Sequence, residues 1–111
     1  MNEVISDSIR LNEKIKNTDE YKKYIDTKRA LYDNIELYSK VKEFRRRNYE
    51  LQNRQGVNCF DEVNNLTNEF DELLHNSYVN GFLIAEQALC NLMQQVYNSI
   101  SDGLEFDFFD E

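Results

Sequence analysis

Three arginines stand side by side at Arg45, Arg46 and Arg47, in "EFRRRNYELQNRQG", within a 111-residue chain whose formal net charge is -8. Guanidinium groups bind phosphates or carboxylates through forked hydrogen bonds, so the triplet suits a nucleic-acid contact, a partner surface or internal ion pairs. The other groups with chemical potential are fewer. His75 is the single histidine, and the two cysteines, Cys59 and Cys90, stand far apart and outside any CxxC pair. No glycine-rich phosphate loop, HExxH pair or assembled Ser-His-Asp or Cys-His set is present. The many carboxylates need burial before they become acid-base catalysts, and a di-iron bundle would need ExxH motifs that this chain lacks. These residues describe no enzyme, no cofactor site and no metal site, although a metal held between subunits by Cys59 or Cys90 stays open.

The distribution of charge narrows the role of the arginines. All 13 lysines and arginines lie at or before Arg54, against 10 acids there, whereas residues 55–111 hold 11 acids and no lysine or arginine. A chain with two such halves satisfies itself by folding one against the other, or satisfies a second copy in the same way. DNA and RNA affinity comes chiefly from phosphate neutralisation, so an acidic chain excludes DNA as a partner and disfavours RNA. Three arginines without a wider basic field or a stacking platform leave only a weak RNA-contacting module as an alternative.

The elements that position these groups are helices. The chain has no proline and three glycines, with 41% hydrophobic and 31% charged residues, a composition that favours an all-α fold in one domain, residues 1–101, with an acidic aromatic tail at 102–111. No run of about 18 apolar residues exists and the N-terminus lacks a secretory apolar region, so the expected location is cytoplasmic, without membrane insertion.

Apolar spacing predicts a first helix over 3–16. Asn17 with Glu20, or Thr18, then starts a second that runs through Tyr24, Leu31 and Tyr32, either as a separate helix or as the second arm of one kinked rod. Asp33 with Glu36 starts a third over 35–55, whose stripe Leu37, Val41, Phe44, Asn48, Leu51 has the heptad spacing of a coiled coil. Gly56 stops it, and a fourth helix carries Val63, Leu66, Phe70 and Leu73, making an antiparallel hairpin with the third. A long fifth helix from Tyr78 to Ser101, capped by Asn76 or Ser77, is apolar over a width that needs cover on more than one side. The expected fold is thus an all-α bundle of four to five helices, with a central antiparallel helical hairpin and a long C-terminal helix at the centre of the bundle or of an oligomer interface. His75 falls near a helix end, where a cation complements the dipole.

In that hairpin, facing residues sum to roughly 115. This places Arg54 near Asp61 and the triplet near Glu69, Asp71 and Glu72. Arg45 and Arg47 flank the stripe and are expected to pair within the chain, with their methylenes along the core edge. Arg46 points to the opposite side and is left over for a partner. Glu86 interrupts the apolar row of the fifth helix, either as the edge of the stripe or as a polar contact that sets register between helices. Arg45, Arg46, Arg47 and Glu86 are therefore the candidate partner-binding residues.

The ordered segments "NTDEYKKYIDTKRALYDNIEL", "KVKEFRRRNYELQNRQ" and "VNNLTNEFDELLHNSYVNGFLIAEQALCNLMQQVYNSI", with Phe44-Arg45, Glu50-Leu51-Gln52 and Ala85-Glu86 as their most telling parts, resemble the YlbF/YmcA family of small bacterial helical proteins. The resemblance implies a non-enzymatic, oligomer-forming cytoplasmic regulator. Characterised relatives act as adaptors among related helical proteins in a complex that works with the membrane-anchored endoribonuclease RNase Y. Through it they affect mRNA processing, competence, sporulation and biofilm formation. Some such complexes carry iron-sulfur clusters on a cysteine-rich C-terminal tail, which has no counterpart here because residues 102–111 contain no cysteine. The resemblance is to the shorter branch of the family, and the alternative class is a self-contained homo-oligomeric helical protein with no role in RNA processing.

Overall fold

The computed structural model of the chain describes residues 2–53 and 59–105, and for 59–61 the backbone alone. The described residues form six helices and no strand: α1 Glu3–Lys16, α2 Asp19–Tyr32, α3 Ile35–Gln52, α4 Cys59–Glu69, α5 Asp71–Leu74 and α6 Ser77–Ser101. The expected all-helical fold is what the chain adopts.

The helix starts follow from short polar side chains that satisfy otherwise unpaired first-turn N–H groups. Thr18 Oγ1 accepts from the N–H of Tyr21 at 3.2 Å, and the extended backbone at Thr18 separates α1 from α2. Asn76 Oδ1 accepts from the N–H groups of Tyr78 and Val79 at 2.9 and 3.3 Å to open α6. At α3 the cap is Asn34, whose Oδ1 accepts from Leu37 N–H at 3.1 Å. The expected Asp33 instead closes α2, its own N–H bonded back to the carbonyl of Arg29.

Two boundaries differ from the sequence reading. Helix α3 ends at Gln52, three residues early, where Asn53 closes it through bonds to its own last turn. The single fourth helix is broken at Phe70, whose φ of -104° and ψ of 19° leave the helical region. Its ring there meets Phe44 edge-on, with centroids 5.3 Å apart. The turn around Gly56, the Arg54–Asp61 pairing and most of the acidic aromatic tail, from residue 106, lie outside the described residues. Gly103 leaves α6 with a φ of 79°, a left-handed conformation that glycine takes without a Cβ clash.

The core is built by α2, α3, α5 and α6. Leu31, Val41, Leu73, Val79 and Phe82 form one buried cluster, with Tyr24, Leu37, Tyr38, Phe44, Phe70 and Leu83 packed around it. Leu31 is fully buried, and excluding such a side chain from water contributes about 1.5–3 kcal/mol. The most extensive helix pairing is α2 against α6, which run antiparallel because Tyr24 meets Phe82 with ring centroids 5.7 Å apart while Asp19 lies farther along, near Ala88. The α3–α4 pair is antiparallel as expected but flanks this centre, a shift from the expected central hairpin. Helix α6 is too apolar to lie across a hairpin on one side only, and α2 brings Tyr24 and Leu31 to cover it.

Helix α1 contributes no buried side chain. The radius of gyration is 18.2 Å, where a compact domain of this length has about 13 Å, and the principal extents are 50 × 38 × 18 Å. No helix among the described residues is long and apolar enough to cross a membrane.

Candidate functional site

Helix α3 delivers the three arginines in three directions. Arg45 reaches α6, where it forms an ion pair with Glu86 while its guanidinium lies over the ring of Phe82, 5.1 Å from the centroid. Arg47 reaches the end of α4, where Nη1 donates to Glu69 Oε1 at 2.5 Å and the guanidinium lies 5.5 Å from the Phe70 centroid. Each cation therefore has a carboxylate at its tip and an aromatic face beneath it, which adds a cation–π attraction to the charge pair.

The sequence reading placed Arg45 and Arg47 both against the second half of the hairpin. Arg47 does pair with Glu69 there. Arg45 turns instead toward α6, because residues two positions apart on a helix point about 200° from one another and do not meet the same neighbouring helix. Glu86 accordingly links α3 to α6 as a half-buried interhelical contact.

Arg46 is not left over. Its guanidinium bonds Glu43 at 2.6 Å and Glu50 at 2.7 Å, one turn before and one turn after it on the outer face of α3. The spacings of three and four residues were visible in the sequence and are those at which helix side chains meet. The hydrogen bond from Arg46 holds the Glu43 carboxyl below the usual glutamate range, as the bond from Arg47 does for Glu69. The same carboxylates raise Arg46 and Arg47. All four candidate residues thus have partners within the chain.

Beside Arg47, the groove between α3 and α4 is lined by Glu50, Glu62, Asn65, Leu66 and Glu69. Its charge is chiefly acidic, and Glu50 and Glu69 are already engaged by arginines. His75 follows the last turn of α5, exposed, with Nδ1 2.8 Å from the carbonyl of Asp71 and 3.3 Å from its carboxylate. Cys90 is a free, exposed thiol, and the side chain of Cys59 lies outside the described residues. Among the described residues no three His, Cys, Asp or Glu side chains gather in a way that would hold a metal ion.

A second cluster was not anticipated. Tyr38 donates its hydroxyl to that of Tyr32 at 3.2 Å, and the two rings meet edge-on at 4.2 Å. Lys28 lies 5.3 Å from the Tyr32 centroid and Lys42 5.0 Å from that of Tyr38. The donated bond lowers the pKa of Tyr32 and raises that of Tyr38, since it favours the anion of the acceptor and the neutral form of the donor. The pair lies at the turn from α2 into α3, and its signal in the sequence is two tyrosines on either side of the Asp33-Asn34 break.

Neither the curated proteins nor the solved structures compared with the chain gave a match. A protein-family model described as "Control of competence regulator ComK, YlbF/YmcA" matches residues 4–105. That description is of a regulatory family, and the match takes in all of the helices just described except the first residue of α1. The chain belongs to the YlbF/YmcA family.

Proposed function

We propose that this protein is a non-enzymatic regulatory adaptor of the cytoplasm, which associates with itself and with other helical proteins and bears on RNase Y-dependent mRNA processing and developmental control. The observation that carries the reading is the large apolar surface left on a highly charged chain. Val4, Ile5 and Ile9 on α1, and Tyr97 and Ile100 on α6, are all at least half exposed, and surfaces of that kind mark protein contacts. Membership of a regulatory family supports the same direction.

Arg46 lies farthest from the core of the three arginines and is the charge a partner meets first. Its two carboxylate neighbours are exposed as well, so a partner's acids exchange for Glu43 and Glu50 at little cost. The internal pairing of Arg45 with Glu86 and Arg47 with Glu69 favours a second reading, a self-contained homo-oligomer in which these charges serve the fold alone.

Affinity capture of the tagged full chain from native lysate, with and without RNase, separates the two. Reproducible recovery of RNase Y or related helical proteins, insensitive to RNase and lost on Arg46→Glu, is the expected result. Recovery of the chain alone establishes the homo-oligomer. RNase-sensitive recovery that falls steeply with salt establishes RNA contact instead.

A further inference from the structure

Helix α3 carries a second regularly spaced row besides the one that enters the core. Ile35, Tyr38, Lys42, Arg45 and Tyr49 follow one another by three, four, three and four residues. At about 100° per residue they fall within roughly 80° of one another around the helix. Val41 and Leu51 of the core row are buried, whereas Ile35 and Tyr49, at the two ends of the second row, are 76% and 70% exposed. At about 1.5 Å per residue the row is about 21 Å long.

No acid of α3 lies on it. Glu36, Glu43 and Glu50 fall about 60° or more beyond its Ile35 edge, where Arg46 holds the last two. Beside Tyr38, α2 brings up Tyr32, which is 45% exposed, and Lys28. The ammonium groups of Lys28 and Lys42 meet no carboxylate among the described residues and lie over the rings of Tyr32 and Tyr38 instead. Arg45, Arg46 and Arg47 each hold a carboxylate of the chain itself. Lys28 and Lys42 are thus two cations ready for acids from outside, on a surface that also exposes apolar side chains.

The rings decide between nucleic acid and protein. Base stacking needs open aromatic faces, and here the ammonium groups lie over the faces of Tyr32 and Tyr38 while the two rings meet edge-on. A chain of net charge -8 also repels a long run of phosphates. A row spaced by three and four residues, apolar at both ends and basic within, matches instead a helix laid along it, with apolar residues on its inner side and acids beside them.

We propose that this row of α3, with Lys28 and Tyr32 of α2 beside it, docks an acidic amphipathic helix of a partner protein, whose apolar side chains cover Ile35 and Tyr49 and whose carboxylates pair with Lys28 and Lys42. This inference rests on the adaptor reading and specifies the surface and the chemistry of the partner.

Fluorescence anisotropy with the full chain tests it. The probe is a labelled peptide of three heptads with Leu at the first and fourth positions and Glu on either side of them. Its counterpart carries Lys for every Glu, and a labelled oligouridylate is the third ligand. The acidic peptide is expected to bind the wild type and to lose about tenfold or more in affinity in Lys28→Glu/Lys42→Glu, whose preference turns to the basic peptide. Lys14→Glu/Lys16→Glu on α1 makes the same change in net charge and is expected to stay within about twofold of the wild type, since exposed charges off the surface are screened. Ile35→Ser weakens the acidic peptide without turning its preference, and far-ultraviolet circular dichroism verifies the fold of each variant. An acidic peptide that does not bind, or that binds both double variants alike, overturns the proposal. Oligouridylate that binds more tightly than the peptide and is lost in Lys28→Glu/Lys42→Glu makes the row a nucleic-acid surface and overturns it as well. A wild-type oligomer in sedimentation velocity that this variant alone abolishes assigns the row to a second copy, with the same consequence. Failure of the peptide while lysate capture still recovers partner proteins overturns the surface and leaves the adaptor reading standing. Peptide binding with no partner recovered supports the surface and overturns the adaptor reading.

Discussion

Arg45 on α3 and Glu86 on α6, 41 positions apart in the chain, form an ion pair on the flank of Phe82. The pair joins the two helices beside the ring of Phe82, which packs into the core. A double-mutant cycle with Arg45→Met and Glu86→Gln, read by urea denaturation, should give a favourable coupling of about 0.2–1 kcal/mol. Zero coupling would mean that the pair merely decorates the surface.

Glu69 carries a folded-state pKa below its unfolded value, owing first to the hydrogen bond from Arg47. The stabilisation from this group is therefore present above the unfolded pKa, about 4.3, and is lost as pH falls through the depressed folded value. Urea midpoints measured from pH 6 downward should fall less steeply below about pH 4.3 in Glu69→Gln than in the wild type. Because both side chains are largely exposed, the difference is small and shrinks further in high salt.

The tyrosine pair makes an alkaline prediction. Tyr38 donates to Tyr32 and so favours the Tyr32 phenolate. In Tyr38→Phe that bond is gone, and ultraviolet titration of phenolate absorbance should show one group moving to higher pH. An unchanged titration curve would mean that the two hydroxyls do not interact in solution.

Leu31 is fully enclosed by helices α2, α3 and α6. Leu31→Ala should cost about 2–5 kcal/mol in chemical denaturation. Val4→Ala, at a side chain 70% exposed, should change monomer stability by less than about 0.5 kcal/mol.

What the sequence made legible was mostly local. Thr18 and Asn76 were legible as one of two candidate caps each, beside Asn17 and Ser77, because a cap acts within three residues of itself. Glu86 stood out as one acid in an apolar row and proved to be the partner of Arg45. The break at Phe70 carried no such mark: neither glycine nor proline is near, and the backbone leaves the helix where the ring meets Phe44, a residue 26 positions earlier. The partner of Arg45 was misplaced for a related reason. A hairpin rule sees two helices, and the third neighbour of α3 becomes visible only when α6 is packed. Arg46 differs in kind: its outward direction suggests a residue left over for a partner, whereas Glu43 and Glu50, about one helical turn away on the same face, already engage it.

The antiparallel pairing of α2 with α6 also sets when the chain can fold. Leu31 and Val79, its two most enclosed side chains, stand nearly fifty residues apart. During synthesis the early helices emerge before α6, which covers Tyr24 and Leu31, and hydrophobic closure waits until α6 has been made. Closing so wide a loop costs chain entropy before any contact rewards it, which slows folding relative to bundles built from sequence neighbours. A truncation that stops before Ser77 therefore removes the element that converts a set of marginal helices into one cooperative structure.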